Sequence, residues 1–190
     1  MKRPRAVDIA FFTDSACTTK EICDMEMNIS MTLKFNLQVI TAYHFLDCYL
    51  DVSSFCMMGT FHDNDGNNDT PTSHYSPKHH AMSLLIIDMA LLIPALVDVK
   101  DSLIAAAALY LSRAIIGIRD ENCMIWNNQL THYTGYSVDQ LSEVISLLHV
   151  YLTGIENNGN MKALLKKYNT ARFHHVACKA SILPQDLMLP

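Results

Sequence analysis

The sequence predicts an all-α fold. Three observations carry this: apolar residues recur at three- and four-residue spacing, cap patterns precede those stretches, and no period-two alternation of useful length occurs. The most informative stretch is 101–137, DSLIAAAALYLSRAIIGIRDENCMIWNNQLTHYTGYS. It opens on a capping pair, Asp101-Ser102, and runs apolar except for Ser112 and Arg113. Four consecutive alanines, Ala105, Ala106, Ala107 and Ala108, cost little to place in a helix, and Gly117 suits a left-handed cap. A helix with no wide polar face belongs at the centre of a bundle, where neighbours can approach its backbone closely.

The other elements follow in order. Thr18-Thr19-Lys20-Glu21 is a capping-box pattern opening a helix over 18–34, with Ile22, Met25, Ile29 and Leu33 on one stripe. A second helix is expected over 41–51, where Ala42, Phe45, Leu46, Tyr49 and Leu50 share a face. Residues 60–77, TFHDNDGNNDTPTSHYSP, read as a long exposed loop. With Gly66 in the sixth place of an EF-hand loop, Phe61 and Thr72 would fall at the first and twelfth, which need ligating oxygens. Asp63, Asp65 and Asp69 are therefore no calcium loop. Helices are expected over 78–93, limited by Pro94, and over 102–116 and 127–133. Ser137-Val138-Asp139-Gln140 is another capping box, opening an amphipathic helix that ends at Gly154. A last helix over 161–168 ends in Lys166 and Lys167, which suits the dipole, and the tail from Thr170 reads as irregular.

Half of the 190 residues are apolar and 17% are charged, which excludes disorder. The net charge of −5 comes with no basic stripe interleaved with aromatics, so no nucleic-acid partner is expected. The most hydrophobic region, 81–97, is interrupted by Asp88 and Pro94 and falls short of a bilayer span, so no membrane partner is expected. No CxxC pair occurs among six cysteines, which argues against a zinc ribbon and for free, mostly buried thiols in a reducing compartment.

No catalytic arrangement stands out. His79-His80 and His174-His175 are adjacent pairs without the spacing that puts two imidazoles on one metal, and they read as surface histidines. The chain has no GxSxG elbow, no phosphate loop and no GxGxxG after a strand. Trp126 reads as a core plug between helices. The expectation is a non-enzyme with no metal, cofactor or small-molecule substrate. Glu26 lies near the edge of an apolar stripe, where a helix carboxylate is ordinarily solvated.

Five segments in order resemble the A/B-type mitotic cyclins, leaning to the B type. DMEMNISMTLKFNL (24–37) looks like the last helix of a first cyclin box and its L-x-F-x-L exit. ITAYHFLDCYL (40–50) is similar to the opening helix of the second box, and DSLIAAAALYLSRAIIG and HYTGYSVDQL to its third helix and the entry to its fifth. KALLKKYNTARFHHVA (162–177) resembles the C-terminal extension. The resemblance implies a cyclin fold, a five-helix bundle around the Ala-rich helix, preceded by remnant helices of a first box. It divides the chain into 1–37, the end of the first box, 38–170, the second box, and a tail over 171–190.

It also implies a regulatory subunit that binds and activates a cyclin-dependent serine/threonine kinase in G2/M control, in nucleus and cytoplasm. The kinase-binding residues carried over are Glu26, Phe35 and Leu37, with Ile22 and Ile29 on the same stripe. A cyclin-fold adaptor in transcription or scaffolding is the alternative. The chain is expected to begin at about the fourth helix of the first box. The M-R-x-I-L docking patch and the lysine of K-[YF]-E-E are then absent, Ser30 stands where a leucine is usual, and Asp101 where a proline is. That combination implies a truncated or degenerate form.

Overall fold

Reciprocal side-chain caps decide where two of the helices begin. Thr18 and Glu21 cap each other's amides, as do Ser137 and Gln140, so each helix starts with two otherwise orphan donors satisfied. The computed structural model describes residues 4–55, 76–120 and 122–180. The chain divides into two compact units, Met1–Val39 and Ile40–Pro190. Among the described residues there is no strand.

The first unit holds α1 (Ala6–Phe12) and α2 (Thr19–Thr32), which pack on each other. The sequence pattern predicts no helix at α1. Its start is made by an Arg5–Asp8 pair in place of the usual hydroxyl or carboxylate cap, which hides the signal. The Arg5 guanidinium beside Asp8 holds its carboxyl below the usual carboxylate range. Helix α2 stops two residues short of Lys34, because Lys34 and Phe35 both take the left-handed region, at φ of 51° and 56°.

The second unit holds α3 (Ala42–Phe55), α4 (Pro77–Ala90), α5 (Asp101–Ile116), α6 (Asn128–Thr134), α7 (Val138–Thr153), α8 (Lys162–Tyr168) and α9 (Ala177–Ala180). Helix α5 packs against α3, α4 and α7, and Ala105 to Ala108 are all fully buried. Gly117 ends α5 in the left-handed region at φ 83°, and the Gly117 and Ile118 amides both donate to Arg113 O. Trp126 is buried beside Tyr110, with its indole N–H donating to Tyr136 O at 3.1 Å. Asp63, Asp65 and Asp69, in the stretch expected to be an exposed loop, lie outside the described residues.

Several expectations need correction. Asp101-Ser102 does not cap α5: Lys100 holds the cap position without a side-chain bond, and Ser102 Oγ instead meets Tyr136 OH at 2.7 Å. Helix α3 runs four residues past Asp51, which carries Ser53 and Ser54 into the interior. Cys17, Cys23, Cys48, Cys123 and Cys178 are exposed rather than buried. Cys123 sits in a turn, and Cys23 lies off the Ile22–Ile29 stripe. The chain past Thr170 is ordered into a 3-10 turn at Ala171–Phe173 and then α9, because Val176 and Ala177 are buried in the core.

The largest correction is His79, which is buried, not a surface residue. Its Nε2 lies 3.0 Å from Ser112 Oγ, and that hydroxyl donates to Leu109 O and accepts from Ser83 Oγ at 2.7 Å. Arg113, also fully buried, donates through Nε to Ile125 O (2.8 Å) and through Nη1 to Ser53 Oγ (2.6 Å). The polar residues that interrupt the apolar run therefore form the interior joints between α3, α4 and α5. At the far end, Asp88 of α4 accepts from Lys167 Nζ (2.6 Å) and Tyr168 OH (2.8 Å). Burial and then the Asp88 carboxylate push the Tyr168 hydroxyl up.

Two predictions follow from this packing. Ala107→Leu forces a larger side chain into a fully buried site and should lower unfolding free energy by ~1–3 kcal/mol, read from urea midpoints at unchanged m. Burial, then Arg113, depresses the His79 pKa to about 3 from 6.5. The unfolded chain therefore binds a proton near 6.5 that the folded chain refuses, and stability falls as pH drops below that value. Between pH 7.5 and 5 this contributes a loss of ~2 kcal/mol. The loss should shrink in His79→Gln, compared with wild type by pH-dependent urea melts.

Candidate functional site

The carboxylate and apolar residues singled out in the sequence lie on α2 and the turn that leaves it. The capping box fixes the start of the helix: Thr18 N–H and Thr18 Oγ1 both donate to Glu21 Oε2 at 2.8 Å, and Glu21 N–H donates back to Thr18 Oγ1. Those bonds, the backbone one foremost, hold the Glu21 carboxyl below its ordinary range. From that start, the 3.6-residue repeat puts Ile22, Met25, Glu26 and Ile29 on one side.

The left-handed pair Lys34–Phe35 then turns the chain. The Phe35 amide donates to Ser30 O at 2.8 Å and the Leu37 amide to Phe35 O at 3.0 Å, so Leu37 comes back over the helix it has just left. The result is a groove of about 540 Å³ lined by Ile22, Met25, Glu26, Ile29 and Leu37 together with Cys17, Glu21 and Ser30. Ser30 turns its hydroxyl inward onto Glu26 O (2.8 Å), so it offers the groove little polarity.

Of the five residues picked from the sequence, Glu26, Ile22, Ile29 and Leu37 share this groove, whereas Phe35 stands outside its lining, 66% exposed. Glu26 is exposed and has no ion-pair partner among the described residues. Cys17 and Ser30 were not picked. Cys17 lies before the helix and joins the groove only through the fold, while Ser30 was signalled by its position one turn beyond Glu26. Ala105, Ala106, Ala107, Ala108 and Trp126 lie in the other unit, in its core. Among the described residues no group of three or more His, Cys, Asp or Glu could hold a metal ion, and no helix is long and apolar enough to cross a membrane.

A helix that shows water an apolar groove with one unpaired acid in it has the makings of a protein-binding element. Comparison with known proteins supplies the family. Residues 40–181 match the model of the cyclin C-terminal domain, and the chain belongs to the cyclin family. It is similar to G2/mitotic-specific cyclin-B of Marthasterias glacialis, 28% identical over 188 residues, covering 99% of this chain and 42% of that one. It is also similar to G2/mitotic-specific cyclin-B2 of Rana japonica, 26% identical over 184 residues, covering 96% of this chain and 41% of that one. Cyclin-A1-1 of Oryza sativa subsp. japonica is 26% identical over 176 residues, covering 93% and 31%. The chain thus spans about two fifths or less of the length of these curated relatives.

The cap geometry yields a local prediction. Thr18→Ala removes the acceptor for the Glu21 amide, so hydrogen exchange at the first turn of α2 should quicken several-fold, roughly the effect of losing ~1 kcal/mol of cap. Exchange across α5 should not change in the same spectrum.

Proposed function

We propose that this chain is a regulatory subunit that binds a cyclin-dependent serine/threonine kinase and favours its active state at the G2-to-mitosis transition. The observation that carries the reading is the α2 groove, where Glu26 stands exposed among Ile22, Met25, Ile29 and Leu37. Family membership and the names of the mitotic relatives supply the context.

On this reading Glu26 accepts hydrogen bonds from cationic or amide donors on the kinase, while Ile22, Ile29, Phe35 and Leu37 bury against its apolar surface. Each such side chain removed from water contributes ~1.5–3 kcal/mol before the cost of association. Moving a two-state kinase from 1:99 to 99:1 takes about 5.5 kcal/mol of differential binding. A few well-covered anchors are of that order. The chain performs no phosphoryl transfer itself. It selects the kinase conformation whose Lys–Glu ion pair is assembled. On the same reading it works in nucleus and cytoplasm, which imaging of a fluorescent fusion checks.

The test is capture by a purified cyclin-dependent kinase, read as Kd. Glu26→Ala and Phe35→Ala should each weaken capture about tenfold, the effect of ~1.4 kcal/mol at an interface. Both residues are exposed, so Tm should stay put. Unchanged Kd in both variants would remove the proposed contact surface. Capture without any gain in phosphorylation of a substrate protein would favour the adaptor reading.

A further inference from the structure

Charge is distributed unevenly along this chain. Of its 14 Lys/Arg and 19 Asp/Glu, residues 157–185 hold five cations and no acid. The remainder is therefore strongly acidic, nine cations against nineteen carboxylates. The cations show no stripe pattern in sequence, and α8 with the turn after it carries four of them. Lys162 and Lys166 are one turn apart on α8, and Lys167 and Arg172 stand over the same ring, 5.7 Å and 5.6 Å from the Phe173 centroid. Lys162, Lys166, Lys167, Arg172, His174 and His175 are all exposed. Asp88 pairs with Lys167, but among the described residues no carboxylate lies within ion-pair distance of Lys162, Lys166 or Arg172.

We propose that the exposed cations of this segment, Lys162 and Lys166 on one side of α8 and Arg172 with Lys167 over Phe173, dock an acidic peptide segment of a partner protein. The inference is independent of the kinase reading, since it concerns another element in the other unit. Charge complementarity selects an anion, and three features select a peptide. First, seven residues of α8 extend about 10 Å, the reach of three or four extended residues, whereas a duplex footprint engages roughly 6–10 phosphates. Second, no aromatic face is free for stacking a base, because Tyr168 is buried and Phe173 lies beneath two cations. Third, no large apolar side chain between Lys162 and Cys178 is exposed, so nothing is available to insert into a bilayer. A short run of aspartates, glutamates or phosphorylated residues remains, held by charge-assisted hydrogen bonds.

The probe is a fluorescein-labelled peptide of alternating glutamate and glycine, titrated with the full chain by fluorescence anisotropy at roughly 50 mM salt. Saturable binding is expected. It should weaken about tenfold in Lys166→Glu/Arg172→Glu, weaken steadily as salt rises, and stay unchanged in Lys20→Glu on α2. Far-ultraviolet circular dichroism establishes that the double variant is folded, and Lys162→Gln supplies a milder second variant with the same direction of effect. Four outcomes overturn the proposal: no saturable binding, equal binding of the glutamine-for-glutamate peptide, wild-type affinity in both variants, or tighter binding of single-stranded DNA of equal charge or of phosphatidylserine vesicles.

Discussion

Close approach of helices at Ala105–Ala108 is the constraint on which the second unit depends. Methyl side chains let α3, α4 and α7 come near the α5 backbone from different sides, and dispersion across those contacts accumulates over many short distances. The same nearness makes the buried polar joints possible. Ser83 and Ser112 carry short side chains on different helices, and their oxygens meet at 2.7 Å only because the helix axes lie close together. His79 and Arg113 reach the rest of the distance, binding α4 to α5 and α5 to α3. A bulkier residue in the alanine run would separate the axes and break these bonds as well, so packing and hydrogen bonding here fail together.

What the sequence disclosed was what its near neighbours decide. The Thr18–Glu21 and Ser137–Gln140 boxes join residues three apart, and the structure has both. Gly117 was legible for the same reason, as a residue able to take positive φ just beyond a helix. The misreadings involve distant partners. Ser102 looked like a cap, yet its hydroxyl meets Tyr136, 34 residues away. His79 looked like half of a surface pair, yet Ser112, 33 residues on, draws it inside. Local pattern cannot distinguish a polar residue that faces water from one that meets a partner brought in by the fold. In the candidate site, the stripe on α2 was visible as periodicity, whereas the return of Leu37 was not. That return rests on two consecutive non-glycine residues in the left-handed region, which no simple residue preference announces.

Helix α2 also differs physically from the helices of the second unit. Met27 and Met31 lie on the side opposite Ile22 and Ile29, and three of the four, all but Ile22, are exposed. A helix apolar on more than one side is ordinarily a buried helix. The first unit therefore has the surface of something made to be covered, and methionine is well suited to such a surface because its flexible thioether adapts to different partners. The second unit instead has a large buried core around α5, although Leu91, Val97 and Val150 remain exposed.

The clasp between Asp88 and Tyr168 also bears on how the protein is made. Helix α4 precedes α8 by some eighty positions, yet α8, α9 and the 3-10 turn between them pack against its flank, with Leu164, Tyr168, Val176 and Ala177 buried. During synthesis, α4 and the alanine helix emerge with that flank bare and a carboxylate awaiting its partners. The second unit therefore cannot close this flank of α4 until residues 164–177 have been synthesised, so its cooperative folding waits on them.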